Sequence, residues 1–444
     1  MSEEIIIDEA RLNQFVPEPG YVEVNQKGHL QVDGVDCMDL RNQFGSPLYV
    51  MSERRIRENY RNLVKAFTAV YSRAKVAYAY KANPILAALR ILNEEGATAE
   101  VISTGELFLA RIVGVKGGNI VLNGCYKDRK GIRLAIRMGA VINVDSFHEL
   151  DMVDEEASRV GIPARIGIRI NPIVRTGTLS VWETALDESK FGIRLEKGLE
   201  AYKKAKNLKN VEIVGIHTHI GSQIENTDPY RVASTRIMNF VGDLKEKLDI
   251  DLEMVDLGGG IAIPFKYIDR APLEEYAHAI LDPFVQKKEE HGLGDCDVVI
   301  EPGGSIIGTS TILLVTVGTV KREESGKKWA LVDGGANINL RATQGWYVYQ
   351  SVCCNKMKET KKEVINVAGP LCYAGDVLGY NRELPYLEEG DVLAFLDCGA
   401  YTMAILNRYN SYPFPAAVLI KDGVPRIIKR REAMTDLFMG EELI

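Results

Sequence analysis

The chain has 444 residues, about three times the length of a typical domain, so it has room for two or three folding units. Its apolar fraction is 46% and its charged fraction is 26%, the composition of a folded globular protein, which excludes extended disorder. The 61 acidic residues outnumber the 54 basic ones and give a net charge of −7. We therefore expect no general attraction to nucleic acid or to an anionic membrane surface.

The N-terminal residues and the cysteines predict a cytoplasmic location. Met1–Arg11 is acidic and lacks the basic and apolar sections of a signal peptide. No stretch of the chain approaches the roughly 18 consecutive apolar residues of a membrane span. The seven cysteines are scattered and show no CxxC spacing, which favours reduced thiols over a disulfide framework or a zinc site.

A hairpin and a helix are predicted before the main repeating region. Tyr21–Val35 is typical of two strands joined by a turn at Lys27–Gly28. We assign residues 1–45 to an N-terminal segment that contributes to a later β domain. Helical spacing follows in the apolar residues Ile56, Tyr60, Leu63, Val64 and Phe67.

From Lys75 to Gly303, short β-branched runs alternate with amphipathic stretches. The eight apolar runs are Val76–Tyr80, Ala99–Ile102, Ile120–Leu122, Ala140–Val144, Ala164–Ile170, Val211–Ile216, Leu252–Leu257 and Asp297–Ile300. Helical patterns between them include Ile85–Asn93, Glu106–Val113, Phe147–Val160, Tyr230–Leu248 and Leu273–His291. Eight strand-and-helix units within about 230 residues favour a closed (β/α)8 TIM barrel, with a doubly wound open sheet as the alternative. We place the barrel at residues 46–304.

After Gly304 the pattern changes to β-rich segments separated by turns. These segments are Thr311–Val320, Trp329–Val332, Glu363–Ala368, Asp391–Cys398 and Ala416–Ile420. Helical patterns become scarce, so residues 305–444 are predicted to form a second, all-β domain.

Polar residues follow the predicted barrel strands at their C-terminal ends, where barrel enzymes place their active sites. They are Lys81, Ser103, Asn123, Asp145, Arg169, Asn171, His217, His219, Asp256 and Glu301. Lys81 comes directly after a buried strand, where an ammonium without a partner is unstable. A Schiff base with an aldehyde cofactor explains it, and so does an ion pair with Glu100 or Asp145; position alone favours neither.

Two other strand ends suggest a cofactor. Asp256–Gly260 contains three glycines, whose amides can approach an anion closely, and barrels often bind phosphate near their seventh and eighth strands. Such runs also form plain turns. His217 and His219 lie on one face of an extended strand, but no third ligand sits at a suggestive spacing. A ring stacked on a planar cofactor is therefore a better use of a histidine here than zinc binding.

Seven motifs, in order, resemble the signature of the alanine-racemase-like-barrel decarboxylases, and most of all their diaminopimelate decarboxylase branch. The motifs are Val76-Ala-Tyr-Ala-Tyr-Lys81-Ala-Asn, His217-Thr-His-Ile-Gly-Ser-Gln, Asp256-Leu-Gly-Gly-Gly, Glu301-Pro-Gly, Gly369-Pro-Leu-Cys372, Gly375-Asp376 and Gly399-Ala-Tyr401. The resemblance runs from about Phe44 to Met434. It implies a barrel with a β domain, pyridoxal 5'-phosphate as cofactor, an amino-acid substrate and a homodimer with shared active sites.

The resemblance also implies roles for individual residues. Lys81 would form the Schiff base with the cofactor and exchange it for the substrate amine. His219 would stack on the pyridine ring, and Glu301 would pair with the protonated ring nitrogen. The phosphate would be bound by Ser222 and by the amides of Gly259 and Gly260.

Two more roles would come from the second subunit. Cys372 would donate the proton to the carbanion left by carbon dioxide, and Tyr401 would lie near the phosphate. A buried structural thiol and a core aromatic are the plain alternatives. A racemase on the same barrel is disfavoured because its tyrosine signature is not recognisable, and a catalytically silent homologue because Lys81 and Cys372 are both present.

Three substrate positions depart from the resemblance. Gly304 stands where the family usually has arginine, Tyr373 where it has glutamate, and Gly345 where it has tyrosine. Losing charge-assisted contacts of about 1.5–3 kcal/mol each would weaken recognition of a distal zwitterion. We therefore predict altered distal-end recognition, with Arg341 and Tyr373 as substrate-binding residues and Trp346 adding aromatic surface. The alternative is a meso-diaminopimelate decarboxylase that makes L-lysine, in which Arg175 or Arg341 replaces the lost contacts.

Overall fold

The computed structural model describes residues 8–345 and 347–443. The chain divides into two compact units. The barrel unit comprises Arg57–Ile263 and Asp269–Ile306, and the β unit comprises Met1–Ile56, Pro264–Ile268 and Ile307–Ile444. Within the described residues, no helix is both long enough and apolar enough to cross a lipid bilayer.

The N-terminal elements pack in the β unit. They are α1 (Glu9–Asn13), β1 (Val22–Val24), β2 (Leu30–Val32), β3 (Val35–Asp36), α2 (Cys37–Phe44) and β4 (Leu48–Ser52). β1 and β2 pair in antiparallel fashion as the predicted hairpin, with Val22 opposite Val32. Their apolar side chains join one buried cluster with Leu48 and Val50 of β4.

The barrel unit contains a closed parallel sheet. Its strands are β5 (Ala74–Ala79), β6 (Thr98–Val101), β7 (Ile120–Leu122), β8 (Val141–Val144), β9 (Ala164–Asn171), β10 (Ile193–Arg194), β11 (Val211–His217), β12 (Met254–Asp256) and β13 (Asp297–Ile300). Eight of them pair in the order β5-β6-β7-β8-β9-β11-β12-β13, and β13 returns to pair with β5. The short β10 adds to β9 outside this ring. The closure confirms the (β/α)8 barrel and excludes the open sheet.

Helices α3 to α10 accompany the barrel strands, and their ends follow from local sequence. They are α3 (Glu53–Val70), α4 (Leu86–Glu94), α5 (Thr104–Ile112), α6 (Arg129–Met138), α7 (Phe147–Val160), α8 (Leu195–Lys206), α9 (Asp228–Leu248) and α10 (Leu273–Glu290). Asp128 caps α6 by accepting from the Gly131 N–H at 2.7 Å, and Gly139 ends it at φ +74°. Such caps leave the polar strand ends as the open edge of the barrel.

The C-terminal part of the chain forms most of the β unit. Its elements are α11 (Gly304–Ile307), β14 (Thr311–Arg322), β15 (Lys328–Val332), α12 (Leu340–Thr343), β16 (Ser351–Cys353), β17 (Lys362–Ala368), β18 (Val377–Pro385), β19 (Val392–Phe395), β20 (Ala416–Lys421) and β21 (Val424–Lys429). The main sheet has the order β18-β17-β15-β14-β4-β20-β21. β4 thus lies between β14 and β20 in this sheet, although the predicted boundary at residue 46 places it in the barrel.

Candidate active site

Lys81 lies in a short turn of 3₁₀ helix after β5, and its ammonium is paired with a buried carboxylate. Its Nζ donates to Glu100 Oε2 at 3.1 Å, and Glu100 lies on β6 with no exposed surface. Burial raises the pKa of Glu100, and the Lys81 ammonium opposes that shift. The Glu100 pair offered by the sequence is thus present, and it places a buried carboxyl group beside the amine that the Schiff base requires.

Glu301 follows β13 and lies at the centre of a buried polar group. Its Oε1 accepts from Asn123 Nδ2 at 2.6 Å, and its Oε2 lies 3.3 Å from His217 Nε2. Burial acts to raise the pKa of Glu301, but His217 and then Lys81 lower it below its ordinary range. Burial and the nearby Glu301 raise the pKa of Asp256 well above its usual value. Glu301 is therefore the more acidic carboxyl of this pair, and Asp256 is the one that favours its protonated form.

The ligand atoms of His217, Asp256 and Glu301 lie within 4.8 Å of one another. A histidine and two carboxylates are donor types that bind metals, and the two carboxylates come from strand ends that sequence spacing did not connect to His217. The same three groups also suit a carboxylate that must face a protonated ring nitrogen, because His217 and Asp256 hold Glu301 in its charged form.

The glycine run after β12 leaves no room for side chains. A Cβ added to any of the three glycines would lie within 2.3 Å of a backbone carbonyl oxygen: that of Thr218 for Gly258, Glu301 for Gly259 and Gly221 for Gly260. Gly258 and Gly260 also have φ of +73° and +98°. The turn therefore packs the backbone after the seventh barrel strand directly against the backbone that follows the sixth and eighth strands.

His219 is held as a neutral imidazole by this glycine turn. Its Nδ1 accepts from the Gly259 N–H at 3.1 Å. Burial, and then the positive charges of Lys81 and Arg169, lower its pKa well below the ordinary value. The Gly259 amide donates to His219 in this structure, and its predicted contact with the phosphate stays a prediction. Ser222 is half-buried three residues beyond His219, and its N–H donates to Trp182 O at 3.1 Å.

In the β unit, Cys372 and Tyr373 lie on an exposed loop whose backbone is held by hydrogen bonds to the Asp376 carboxylate. The buried Asp376 carboxylate accepts from the Ala336 N–H at 2.6 Å and from the Leu371 N–H at 2.8 Å. Cys372 is an exposed free thiol, and its N–H donates to Asn410 Oδ1 at 2.8 Å. Tyr373 is 53% exposed. The loop is therefore fixed through its backbone, while both candidate side chains face solvent.

Arg341 is stacked between two tyrosines of the β unit. Its guanidinium carbon lies 3.9 Å from the ring centre of Tyr401 and 4.5 Å from that of Tyr347. The guanidinium also hydrogen-bonds the side chain of Tyr347. It has five N–H donors, so others can bind a carboxylate or phosphate. Gly345 has open space on the side where a side chain would project. Among the described residues, no heavy atom other than those of its chain neighbours lies within 4 Å of that position. Gly304 is buried at the start of α11, and Trp346 lies outside the described residues.

Comparisons with known proteins agree with this arrangement. The family model described as "Pyridoxal-dependent decarboxylase, pyridoxal binding domain" matches residues 53–308, more than half of the chain. The chain belongs to the pyridoxal-dependent decarboxylases. It is 38% identical to the diaminopimelate decarboxylase of Methanothermobacter thermautotrophicus over 424 residues, covering 95% of this chain and 97% of the relative. It matches the crystal structure of diaminopimelate decarboxylase from M. jannaschii in complex with L-lysine, at 36% identity and TM-score 0.90, over 96% of this chain and 98% of that one.

As a pyridoxal-dependent decarboxylase, the protein is a carboxy-lyase and its cofactor is pyridoxal 5'-phosphate. The barrel unit fits this cofactor on several counts. Lys81 supplies an amine beside a carboxylate, Glu301 supplies a charged acid, and His219 supplies a neutral ring. The turn Gly258–Gly260 supplies backbone amides beside His219, and amides of this kind can bind a phosphate.

Some residues of the decarboxylase site escaped the sequence prediction. Glu100, Asn123, His217 and Asp256 were noticed near strand ends but received no place in the predicted site. Asn143 was missed because it lies inside the apolar strand β8; its Nδ2 donates to Asn123 Oδ1 at 2.8 Å. A buried asparagine within Val141–Val144 is the signal that would have revealed it.

Proposed function

We propose that this decarboxylase acts on meso-diaminopimelate and produces L-lysine. The observation that carries the proposal is the similarity, over nearly the full length, to proteins named diaminopimelate decarboxylase, one of them solved with L-lysine. This similarity supports diaminopimelate more strongly than the three departures at Gly304, Tyr373 and Gly345 support our main interpretation of a changed distal end. Arg341, held flat between two tyrosines, is the cation we assign to a substrate carboxylate.

Within the barrel unit, each residue is assigned one task. Lys81 Nζ would hold the cofactor, and Glu100 keeps negative charge beside that nitrogen. Glu301 would face the ring nitrogen, His219 would stack on the ring, and the phosphate would be bound by Ser222, Gly260 and, by the sequence prediction, Gly259. When bound, pyridoxal phosphate supplies an electron sink for the electron pair left by departing carbon dioxide.

We assign the return of a proton to the substrate α-carbon to Cys372, because it is an exposed thiol on a loop with a fixed backbone. Tyr401 is proposed to contact the phosphate. Cys372 and Tyr401 lie in the β unit, and the family resemblance assigns them to the partner's site, so we propose a homodimer with shared active sites. The cytoplasmic location stays a prediction.

A second candidate is a decarboxylase for an amino acid or conjugate with a different far end. It is favoured by Tyr373, an aromatic side chain that is 53% exposed where the family usually has an acid. Gly304 and Gly345 add no side chain to hold a distal ammonium or carboxylate. Steady-state kinetics with meso-diaminopimelate decides between the two candidates. A kcat/KM of about 10⁴ M⁻¹s⁻¹ or above supports lysine production, whereas a value far below that obtained with another amino acid supports the second candidate.

Restoring the family residues tests whether the contacts to the distal end of diaminopimelate have been lost. If the distal contacts are lost, Gly304→Arg with Tyr373→Glu should raise kcat/KM for diaminopimelate, by about 100-fold or more if two charge-assisted contacts form. The single variants show whether the two changes couple. Tyr380→Glu, which alters an equally exposed tyrosine of the same unit, is the matched control and should leave this constant unchanged. If the double variant gains nothing, the existing residues already bind diaminopimelate.

A further inference from the structure

Asn123 makes contacts that the decarboxylase chemistry described so far leaves unexplained. It follows β7, is 3% exposed, and its amide nitrogen touches two separate carboxylates. Asn123 Nδ2 lies 2.6 Å from Glu301 Oε1 and 3.0 Å from Glu100 Oε1. An amide nitrogen has two hydrogens, so one side chain satisfies both acids at once.

The orientation of this amide is set by a second asparagine. Asn143 Nδ2 donates to Asn123 Oδ1 at 2.8 Å, so the oxygen of Asn123 faces a donor and its nitrogen faces two acceptors. The reversed amide would place its oxygen against two carboxylates. Gly167 makes room for Asn143, since a Cβ there would lie 2.2 Å from Asn143 Oδ1.

The two acids contact different groups of the candidate cofactor site. Glu100 Oε2 accepts from Lys81 Nζ, and Glu301 Oε2 faces His217 Nε2. A continuous chain of polar contacts therefore runs from Lys81 through Glu100, Asn123 and Glu301 to His217. Both Glu100 and Glu301 are buried, where an ionised acid without donors is unstable.

We propose that Asn123 is a positioning residue that holds Glu100 and Glu301 ionised and in place, and thereby fixes the charge at both ends of the cofactor. The inference rests on the roles proposed for Lys81 and Glu301. Without the two N–H donors, two buried acids would remain close together, and one of them would take up a proton. Glu100 is the more susceptible, because burial already raises its pKa.

Other charged and titratable groups also act on this chain of contacts. They are Glu106 at the start of α5, Asp145 after β8, Arg169 on β9, and His217, His219 and Asp256 at the next two strand ends. A substitution at residue 123 leaves these groups unchanged, so its effect on Lys81 must pass through Glu100 or Glu301.

The test is a spectroscopic pH titration of the holoenzyme without substrate. The visible band of bound pyridoxal phosphate reports whether the nitrogen joined to Lys81 carries a proton. In Asn123→Leu, we expect the midpoint of this band to fall by about one pH unit, because a neutral Glu100 no longer stabilises the protonated nitrogen. Asn143→Leu should lower the midpoint in the same direction by a smaller amount.

Asn171→Leu is the matched control. Asn171 is a buried asparagine at the end of β9, and both ends of its amide bond to backbone, at Leu186 O and at Ile173 N. Its substitution should leave the midpoint unchanged. If Asn123→Leu does not retain the cofactor, Asn143→Leu decides the outcome. If the variants that bind cofactor keep the wild-type midpoint, the role of Asn123 is overturned and the role of Lys81 stands. If the wild-type protein itself lacks the visible band, the roles of both Asn123 and Lys81 are overturned.

Discussion

The barrel unit and the β unit present their candidate site residues in different ways. In the barrel unit, Glu100 and Glu301 are buried and bonded to one another through Asn123. In the β unit, Cys372 and Tyr373 are exposed on a loop that is held by hydrogen bonds from its backbone N–H groups, not by these two side chains. A substitution in the first region changes the charge of its neighbours, whereas one in the second changes mainly the substituted side chain. If these residues have the roles proposed above, substitutions in the barrel unit should alter the charge around the cofactor, and substitutions at Tyr373 should alter mainly the choice of substrate.

The largest effect is expected from removing the candidate cofactor lysine of the barrel unit. Lys81→Ala should lower kcat by at least about 1,000-fold and remove the visible band of the bound cofactor, because no amine remains to bond it. Lys75→Ala is a suitable control, since Lys75 belongs to the same strand, β5, and is an exposed residue paired with Asp297. Activity assays and absorbance spectra of both variants check this. A visible band that persists in Lys81→Ala would refute the assignment of the cofactor lysine.

The second experiment asks whether the two units complete one site from different subunits. Mixing inactive Lys81→Ala with inactive Cys372→Ala should restore about a quarter of the sites after subunit exchange, because half of the dimers are mixed and each has one intact site. Recovered decarboxylation is the measurement. Mixing Lys81→Ala with Glu301→Ala, two barrel substitutions, should restore nothing. Equal recovery in both mixtures, or none after confirmed exchange, would argue against shared sites.

The smallest effect concerns the stability that a buried barrel histidine contributes. The folded-state pKa of His219 is lowered, so above its ordinary value near 6.5 neither the folded nor the unfolded chain protonates it. As pH falls below about 6.5, only the unfolded chain takes up the proton. The wild type should then lose up to about 1.4 kcal/mol of unfolding free energy per pH unit relative to His219→Asn.

Denaturant unfolding of the cofactor-free protein between pH 5 and 7.5 measures this difference. Asparagine can still offer an oxygen to the Gly259 N–H, so the comparison isolates the titration from the hydrogen bond. The same substitution at the exposed His278 provides a reference. Parallel curves for wild type and His219→Asn would show that His219 takes up its proton over the same pH range in the folded and unfolded chains, against the lowered pKa.

The sequence predicts the barrel well because its strands are short, apolar and evenly spaced. Ile120–Leu122 and Asp297–Ile300 have the predicted bounds, and α7 spans the predicted Phe147–Val160. β4 escaped because an apolar run such as Leu48–Ser52 carries no sign of its partners, which lie more than 250 residues away in β14 and more than 350 away in β20. Local periodicity cannot report pairing over such distances.

The position of a candidate site residue was predictable where it closely follows one strand, as with Lys81 and Glu301, whose roles stay predictions. It was not predictable where a role depends on several strands. The contact of Asn123 with Glu100, Glu301 and Asn143 joins four strand ends, and no spacing along the chain encodes it. The hydrogen bond from Gly259 to His219 likewise depends on how two loops meet.

The way Asp376 holds its loop bears on how this enzyme can change over evolution. Its carboxylate bonds to backbone amides at Ala336 and Leu371, and Gly369 is required because a Cβ there would lie 2.3 Å from Asp376 Oδ2. None of these contacts uses the side chain of residue 373 or 374. We therefore expect those two side chains to be exchangeable while the loop keeps its place. If Tyr373 binds substrate as proposed, such exchanges would change the substrate and leave the thiol of Cys372 in position.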